Sequence, residues 1–529
     1  MPTTTATSLR PYGGTFGPAE ARHLLRRATV AGCTQENVEA AVELGLAGSV
    51  ARLLKPHGVG RPVTTVDDHP VLRLGDDWTG TLRQEGYDEN WRHASVRDWL
   101  IAGLVESGFS ASGRMWFFWL NHFGAMTSEG RIAYDYHRVT YDHVFGDFRQ
   151  MVRDMTVDPL MLRFLNGNHN QAKAPNENYA RELLELFTIG KQPLYGSGGA
   201  APYTEEDVRQ LARALTGWTV TDWSFRETPP RAQFEPERHD AGDKPLSAAF
   251  GNAVIADAGA REYEVVVDTV FAQPRSLDYV CRKFYRWLVD YRIDDATEAG
   301  VIRPLADVMR ATGFDIGATL RTLLQSEHFF APSHRGALAK SPLDHMAGAY
   351  FGFGGGLPGR GDTKRRARAL RHFHWRMQRQ GLTIDEPDSV AGFAPFHQEP
   401  HFNRYWINPT SLLSRSQVSE QSVSYGVDLE EGDRLRVDVL GYVDTFANPY
   451  DPNDLIAELA ERHLPLPVPY DQVTILKEFL IPDLPDWEWT VEYGLYRANP
   501  DDEGQRKAVA KRVQAVWLAL SGAAEFTLY

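Results

Sequence analysis

Ser112 to Gly124 constrain the fold more than any other stretch. Met115, Trp116, Phe117, Phe118, Trp119, Leu120 and Phe123 cover almost every side of a helix. A helix apolar all round cannot lie on a surface and must be enclosed by other elements. The chain has the material for that enclosure: 43% hydrophobic residues, with 13 Trp, 21 Tyr and 26 Phe. At 529 residues it exceeds one small core, so two or three packed units are expected.

Helical spacing recurs around this segment. Pro18 suits a first turn ahead of Leu24 and Leu25, and Thr34 can open a helix carrying Val38, Val42, Leu46 and Val50. Further helices read over Asn176–Ile189, Thr204–Leu215, Tyr263–Ala272, Ser276–Val289, Ala299–Arg310, Gly317–Gln325 and Glu503–Leu520. Trp218–Asp240 breaks the pattern, with alternating Trp218, Val220 and Asp222 before Pro229-Pro230, and fits a short hairpin. The fold class expected is therefore mainly α, a multi-helix globular protein with a short β excursion near 218–240. Gly352 to Gly361, holding six glycines and Pro358, reads as a loop or boundary. It divides a main helical domain, 1–350, from a C-terminal helical or irregular region, 351–529, packed on it.

Charge and cysteines narrow the function classes. The 70 acidic against 56 basic side chains give a net charge of -14, opposite to what phosphate neutralisation requires, so no nucleic-acid partner is expected. The basic stretch Lys364 to Arg379 carries Leu370, Phe373 and Met377 at helical spacing and reads as a solvated face with an apolar underside. Cys33 and Cys281, the only cysteines, exclude a disulfide framework and a Cys-rich zinc site. Neither a signal peptide nor a membrane-length apolar run is present, so the expectation is a soluble, cytoplasmic protein without a membrane partner. The sequence sets no oligomeric state.

Several segments stand in a fixed order: Phe118-Trp119-Leu120-Asn121-His122-Phe123, Asn176-Glu177-Asn178-Tyr179-Ala180-Arg181-Glu182-Leu183, Tyr203 to Val208, Ala212 to Trp218, and His239-Asp240-Ala241-Gly242-Asp243-Lys244. Pro387 to Phe393, Ile407-Asn408-Pro409 and Ala523 to Tyr529 follow. In these the chain resembles the bacterial family called domain of unknown function 1800, over roughly residues 15–529 and most specifically over 112–245. The resemblance implies no established activity. Two departures stand out: Leu120 occupies a position where relatives usually have a second His, and many relatives carry export signals.

The residues themselves offer candidate chemistry. Pro175-Asn176 is a good helix start, with Glu177 in the first turn. Asn178, Arg181, Glu182 and Glu185 then form one polar stripe, opposite Tyr179, Leu183, Leu186 and Phe187, with Gly190 as a cap. This is either an ordinary amphipathic helix with an Arg181–Glu185 pair, or a set of carboxylates, Arg and Asn lining a cavity for acid–base work or a metal. His122, beside Asn121 on the Met115, Phe118, Trp119 stripe, is either a buried neutral His bonded to a carbonyl or a base or metal ligand. Thr204 to Asp207 is a capping box, which accounts for Asp207. His239, Asp240 and Lys244 sit in a Gly-rich loop that no helix requires, where polar residues often serve ligands.

A GxxxxGK[ST] loop, a GxSxG elbow and HExxH are missing, and the glycines at 352–356 lack GxGxxG spacing, so no nucleotide or nicotinamide signature exists. Two readings result. In the first, His122, Glu182, Glu185 and His239 are catalytic groups of a hydrolase or group-transfer enzyme. Asn121, Asn176, Glu177, Asn178, Arg181, Asp240 and Lys244 would then bind a polar small molecule, carbohydrate or peptide. A divalent metal is the cofactor such a pocket would take. In the second, a non-catalytic binding or assembly protein uses the same groups as a structural polar network.

Overall fold

A chain with so many apolar helical faces has to stack them, and the computed structural model, which describes residues 8–191, 199, 201–223, 225, 228–430 and 432–529, shows how. Helices dominate, and strands among the described residues form three two-stranded sheets. Every residue of the Ser112–His122 helix is buried. Its indoles find acceptors inside, Trp116 Nε1 at 3.1 Å from Thr140 Oγ1 and Trp119 Nε1 at 3.3 Å from the Val144 carbonyl. The expected hairpin is present: Trp218–Thr221 pairs antiparallel with Arg231–Phe234, Trp218 opposite Phe234.

One expectation needs correction. The helix read over Asn176–Ile189 is α-helical only from Asn178 to Glu182 and continues as a π-helical turn, Leu183–Thr188. Gly190 closes it with φ 86°, where a Cβ would lie 2.7 Å from the Tyr279 ring. The region beyond Gly361, read as helical or irregular, is largely helical, with helices Thr363–Gln378, Pro409–Val423, Pro452–His463, Tyr470–Leu480, Asp486–Ala498 and Glu503–Ser521. The basic stretch forms the first of these, with Leu370, Phe373 and Met377 buried beneath it. Its basic side chains form ion pairs, the exposed Lys364–Asp67 at 2.6 Å and the more enclosed Arg366–Glu106 at 2.7 Å.

Buried apolar side chains gather in two clusters. One runs from Ala21 to Leu429 and includes the Ser112–His122 helix. The other draws Phe353 together with Val423 and residues from Val437 to Phe526. Phe353, carried by the glycine-rich segment, is fully buried with its ring centroid 4.2 Å from Tyr442 and 4.3 Å from Trp517. Arg22–Glu461 at 2.5 Å and Lys340 Nζ to the Phe526 carbonyl at 2.7 Å tie residues ahead of the glycine-rich segment to the C-terminal helices. Among the described residues no helix is long and apolar enough to cross a membrane. Cys33 and Cys281 are both free thiols.

Candidate functional site

The hairpin determines where His239 ends up. The Glu205–Ala214 helix runs into Thr216 and Gly217, the two strands follow, and a turn at Pro236–Arg238 returns the chain beside its starting point. Gly217 makes the return fit. Its φ is 97°, and a Cβ there would lie 2.9 Å from the Phe234 ring and 3.2 Å from His239 Cβ.

His239 Nδ1 then lies 2.9 Å from the Thr216 carbonyl. The Thr216 hydroxyl has its proton committed to the Arg213 carbonyl at 2.7 Å, and it accepts from the Asp240 N–H at 2.8 Å. It has no proton left for the imidazole, so the network assigns the ring proton to Nδ1, donating to the carbonyl. That leaves Nε2 as the atom open to a second proton or a cation. It faces two carboxylates: Glu262 Oε2 at 3.1 Å and Asp257 Oδ1 at 3.5 Å.

The three ligand-type atoms all lie within 4.8 Å of one another. Glu262 opens the Glu262–Ala272 helix and is fully buried, while Asp257 is about half exposed and gives the cluster its edge to solvent. The Ala258 N–H donates to Glu262 Oε2 at 3.0 Å. Glu262 Oε1 pairs with the fully buried Lys244 Nζ at 2.5 Å, and Lys244 also donates to the Asp240 carbonyl. Arg213 grips Asp240 with two bonds, at 2.7 and 3.1 Å, and its guanidinium holds the Asp240 carboxyl below its usual range. His239, Asp240 and Lys244 are thus brought together.

An imidazole nitrogen and two carboxylate oxygens can share a proton or a cation. Zinc bonds to such ligands near 2.0–2.2 Å, which in a tetrahedral site puts the ligand atoms roughly 3.4 Å apart. The observed 3.1 and 3.5 Å bracket that value. Three protein ligands would leave a fourth position for water or substrate, the pattern of a catalytic rather than a structural zinc.

The remaining sequence candidates occupy other surroundings. Asn176 Oδ1 accepts from the Asn178 N–H at 3.0 Å, so Asn176 performs its capping role two residues ahead of the helix. Asn178 Nδ2 donates to the Leu165 carbonyl at 3.2 Å. Arg181 is held most closely by Glu205, at 2.7 Å, and by Glu177, at 3.0 Å, with Glu185 farther away at 3.8 Å. The expected Arg181–Glu185 pair is therefore the weakest of the three, because Glu205 opens the next helix directly within reach. Glu185 pairs with Lys191 at 3.3 Å. Glu182 is half-buried, and burial followed by the neighbouring Glu185 charge pushes its carboxyl up.

His122 takes the buried neutral form. Its Nε2 lies 3.1 Å from the Phe187 carbonyl in the π turn, and burial drives the imidazole well below its usual range. Asn121 Oδ1 accepts from the Phe393 N–H at 2.9 Å, clipping the Pro387–Phe393 segment to the central helix. His122 thus sits on the apolar side of the Glu182 helix, against Phe187, whereas Asn121 packs on the Pro387–Phe393 segment. Among the described residues no hydrogen bond or ion pair joins His122, the Glu182–Glu185 pair and His239.

Asp257, Glu262 and Thr216 are missing from the sequence reading. Glu262 looks like an ordinary acidic residue in a helix's first turn, and Thr216 acts through its carbonyl, which any residue possesses. The burial of Lys244, which calls for an acid beside it, is visible only in the structure.

A family model described as "Protein of unknown function (DUF1800)" matches residues 23–488, a span containing every residue of this site. No curated protein and no solved structure matches the chain.

Proposed function

The chain belongs to the DUF1800 family, and from that premise we propose that it is a metal-assisted enzyme of hydrolase or group-transfer type. In this reading His239, Asp257 and Glu262 hold a divalent cation. The observation that carries it is the Nε2 of His239, oriented by Thr216, facing two carboxylates at ligand spacing. A carbonyl partner that orients the imidazole is the usual outer support of a metal-bound His. When bound, the cation would polarise a substrate oxygen or lower the pKa of a water. Lys244 would steady Glu262, and Asp257 would face the incoming substrate from its exposed position. The residues suit a polar small molecule, carbohydrate or peptide.

One observation favours the second reading, a structural polar network. Lys244 already neutralises Glu262, and a second proton on His239 would complete the cluster without a metal. Calorimetric titration of chelator-treated protein with zinc or manganese separates the two. The enzyme reading expects one cation per chain, bound at micromolar or tighter affinity and lost in His239→Ala. An absence of binding heat with either metal returns the cluster to a structural role.

A further inference from the structure

A cavity of about 130 Å³ lies between the Trp91–Val105 helix, the segment 57–65 and the Thr363–Gln378 helix. It shares no residue with the His239 cluster. Much of its wall is apolar, including Val59, Pro62, Trp99, Ala102 and Leu370. Asp98 also lines it, only 5% exposed, and neither of its carboxylate oxygens has a hydrogen-bond partner among the described residues.

The surrounding polar groups are engaged elsewhere. The Trp99 indole donates to the Gly60 carbonyl at 2.7 Å, and the Ser95 hydroxyl to the Val63 carbonyl at 2.6 Å. Arg61 pairs with Asp77 at 3.0 Å and Arg366 with Glu106 at 2.7 Å. Arg371 comes nearest, yet its Nε stays 3.5 Å from Asp98 Oδ2 while its Nη2 donates to Thr65 at 3.0 Å. A carboxylate withdrawn from water and held by one long ion pair, with no hydrogen bond, is costly, and native structures rarely keep one without a use.

We propose that this cavity binds a small organic cation, a primary ammonium on a compact apolar body. The ammonium donates to Asp98, and the body lies against Val59, Pro62 and Leu370. Size agrees: an apolar cavity of roughly 150 Å³ in a protein core takes up benzene. A charged donor is favoured over a neutral one because it also compensates the buried negative charge of the carboxylate.

The site should respond to pH. Burial pushes the Asp98 carboxyl up to about 7, against the lowering pull of Arg371 and Arg97 and with a small rise from Asp385. Glu106 faces the same cavity held between Arg366, at 2.7 Å, and Arg360, at 3.3 Å, while Arg61 is paired with Asp77. An ammonium pairs with the ionised carboxylate, so its affinity rises as pH passes upward through about 7 and falls below it.

The test is calorimetric titration of the full chain with benzylamine, benzyl alcohol and benzoate, at about pH 6 and pH 8. Benzylamine is expected to bind about tenfold or more tightly than benzyl alcohol, and more tightly at the higher pH, with benzoate not binding. Asp98→Asn should erase the preference for the amine. No benzylamine binding at pH 8, equal binding of the alcohol, or undiminished amine binding by Asp98→Asn would each overturn the proposal. Should that variant fail to fold, the wild-type pH series decides alone: an affinity that is flat or falling from pH 6 to pH 8 rejects it.

Discussion

At His239, one proton's position follows from three short contacts, and the chemistry of the cluster depends on it. The same contacts make Lys244 informative. Replacing it with Met leaves Glu262 buried beside a neutral imidazole, and breaking such a pair costs about 3–5 kcal/mol. A cation at the cluster would compensate, because a ligand that binds only the folded state stabilises it. Thermal melts of Lys244→Met should therefore show a large loss without zinc and a larger gain on adding zinc than wild type shows. Glu182 offers a contrasting case. Its folded-state carboxyl titrates above the unfolded one, so ionisation opposes folding once the pH exceeds the ordinary Glu range. Glu182→Gln should melt at or above wild type at neutral pH, with the difference vanishing below about pH 4, where both states are protonated. Of the site, His239, Asp240 and Lys244 were legible because a loop gives no packing reason for them. Asp257 and Glu262 were not, since local pattern carries no trace of a contact made across the fold.

Among the elements, the central helix was the easiest to read, since seven large apolar side chains in one stretch leave a helix no surface to lie on. The π turn at Leu183–Thr188 was invisible. An extra residue in a turn arises from tertiary demands, here the Phe187 carbonyl reaching His122 and Gly190 clearing Tyr279. Phe187 holds this junction together: fully buried, its centroid is 5.2 Å from Phe123. Truncating it to Ala should cost about 3–5 kcal/mol in denaturant unfolding, and a loss below about 1 kcal/mol would show that the face is assigned wrongly. The C-terminal helices between Pro409 and Ala498 were not read one by one, for a different reason. Pro409 and Pro452 occupy first-turn positions, and Pro469 and Pro485 stand just before helices, so prolines that punctuate the segment start helices there. Tyr470, Ile475, Trp487 and Val491 are exposed, which blurs the apolar stripe that periodicity relies on.

On the scale of the whole molecule, two apolar clusters share one chain, and Phe353 belongs to the second although its segment follows directly on helices of the first. Phe353→Ala should accelerate amide exchange at Val509, Val513 and Trp517, with the Ser112–His122 helix left protected. Equal acceleration in both would show that the clusters open as a single unit. The central claim concerns the His239 cluster and is reached most directly by X-ray absorption at the zinc edge on protein loaded with one equivalent of zinc. The account predicts one imidazole nitrogen and carboxylate oxygens near 2.0–2.2 Å, with the nitrogen contribution lost in His239→Ala. A zinc spectrum matching the hydrated ion, or one unchanged by that substitution, would contradict it.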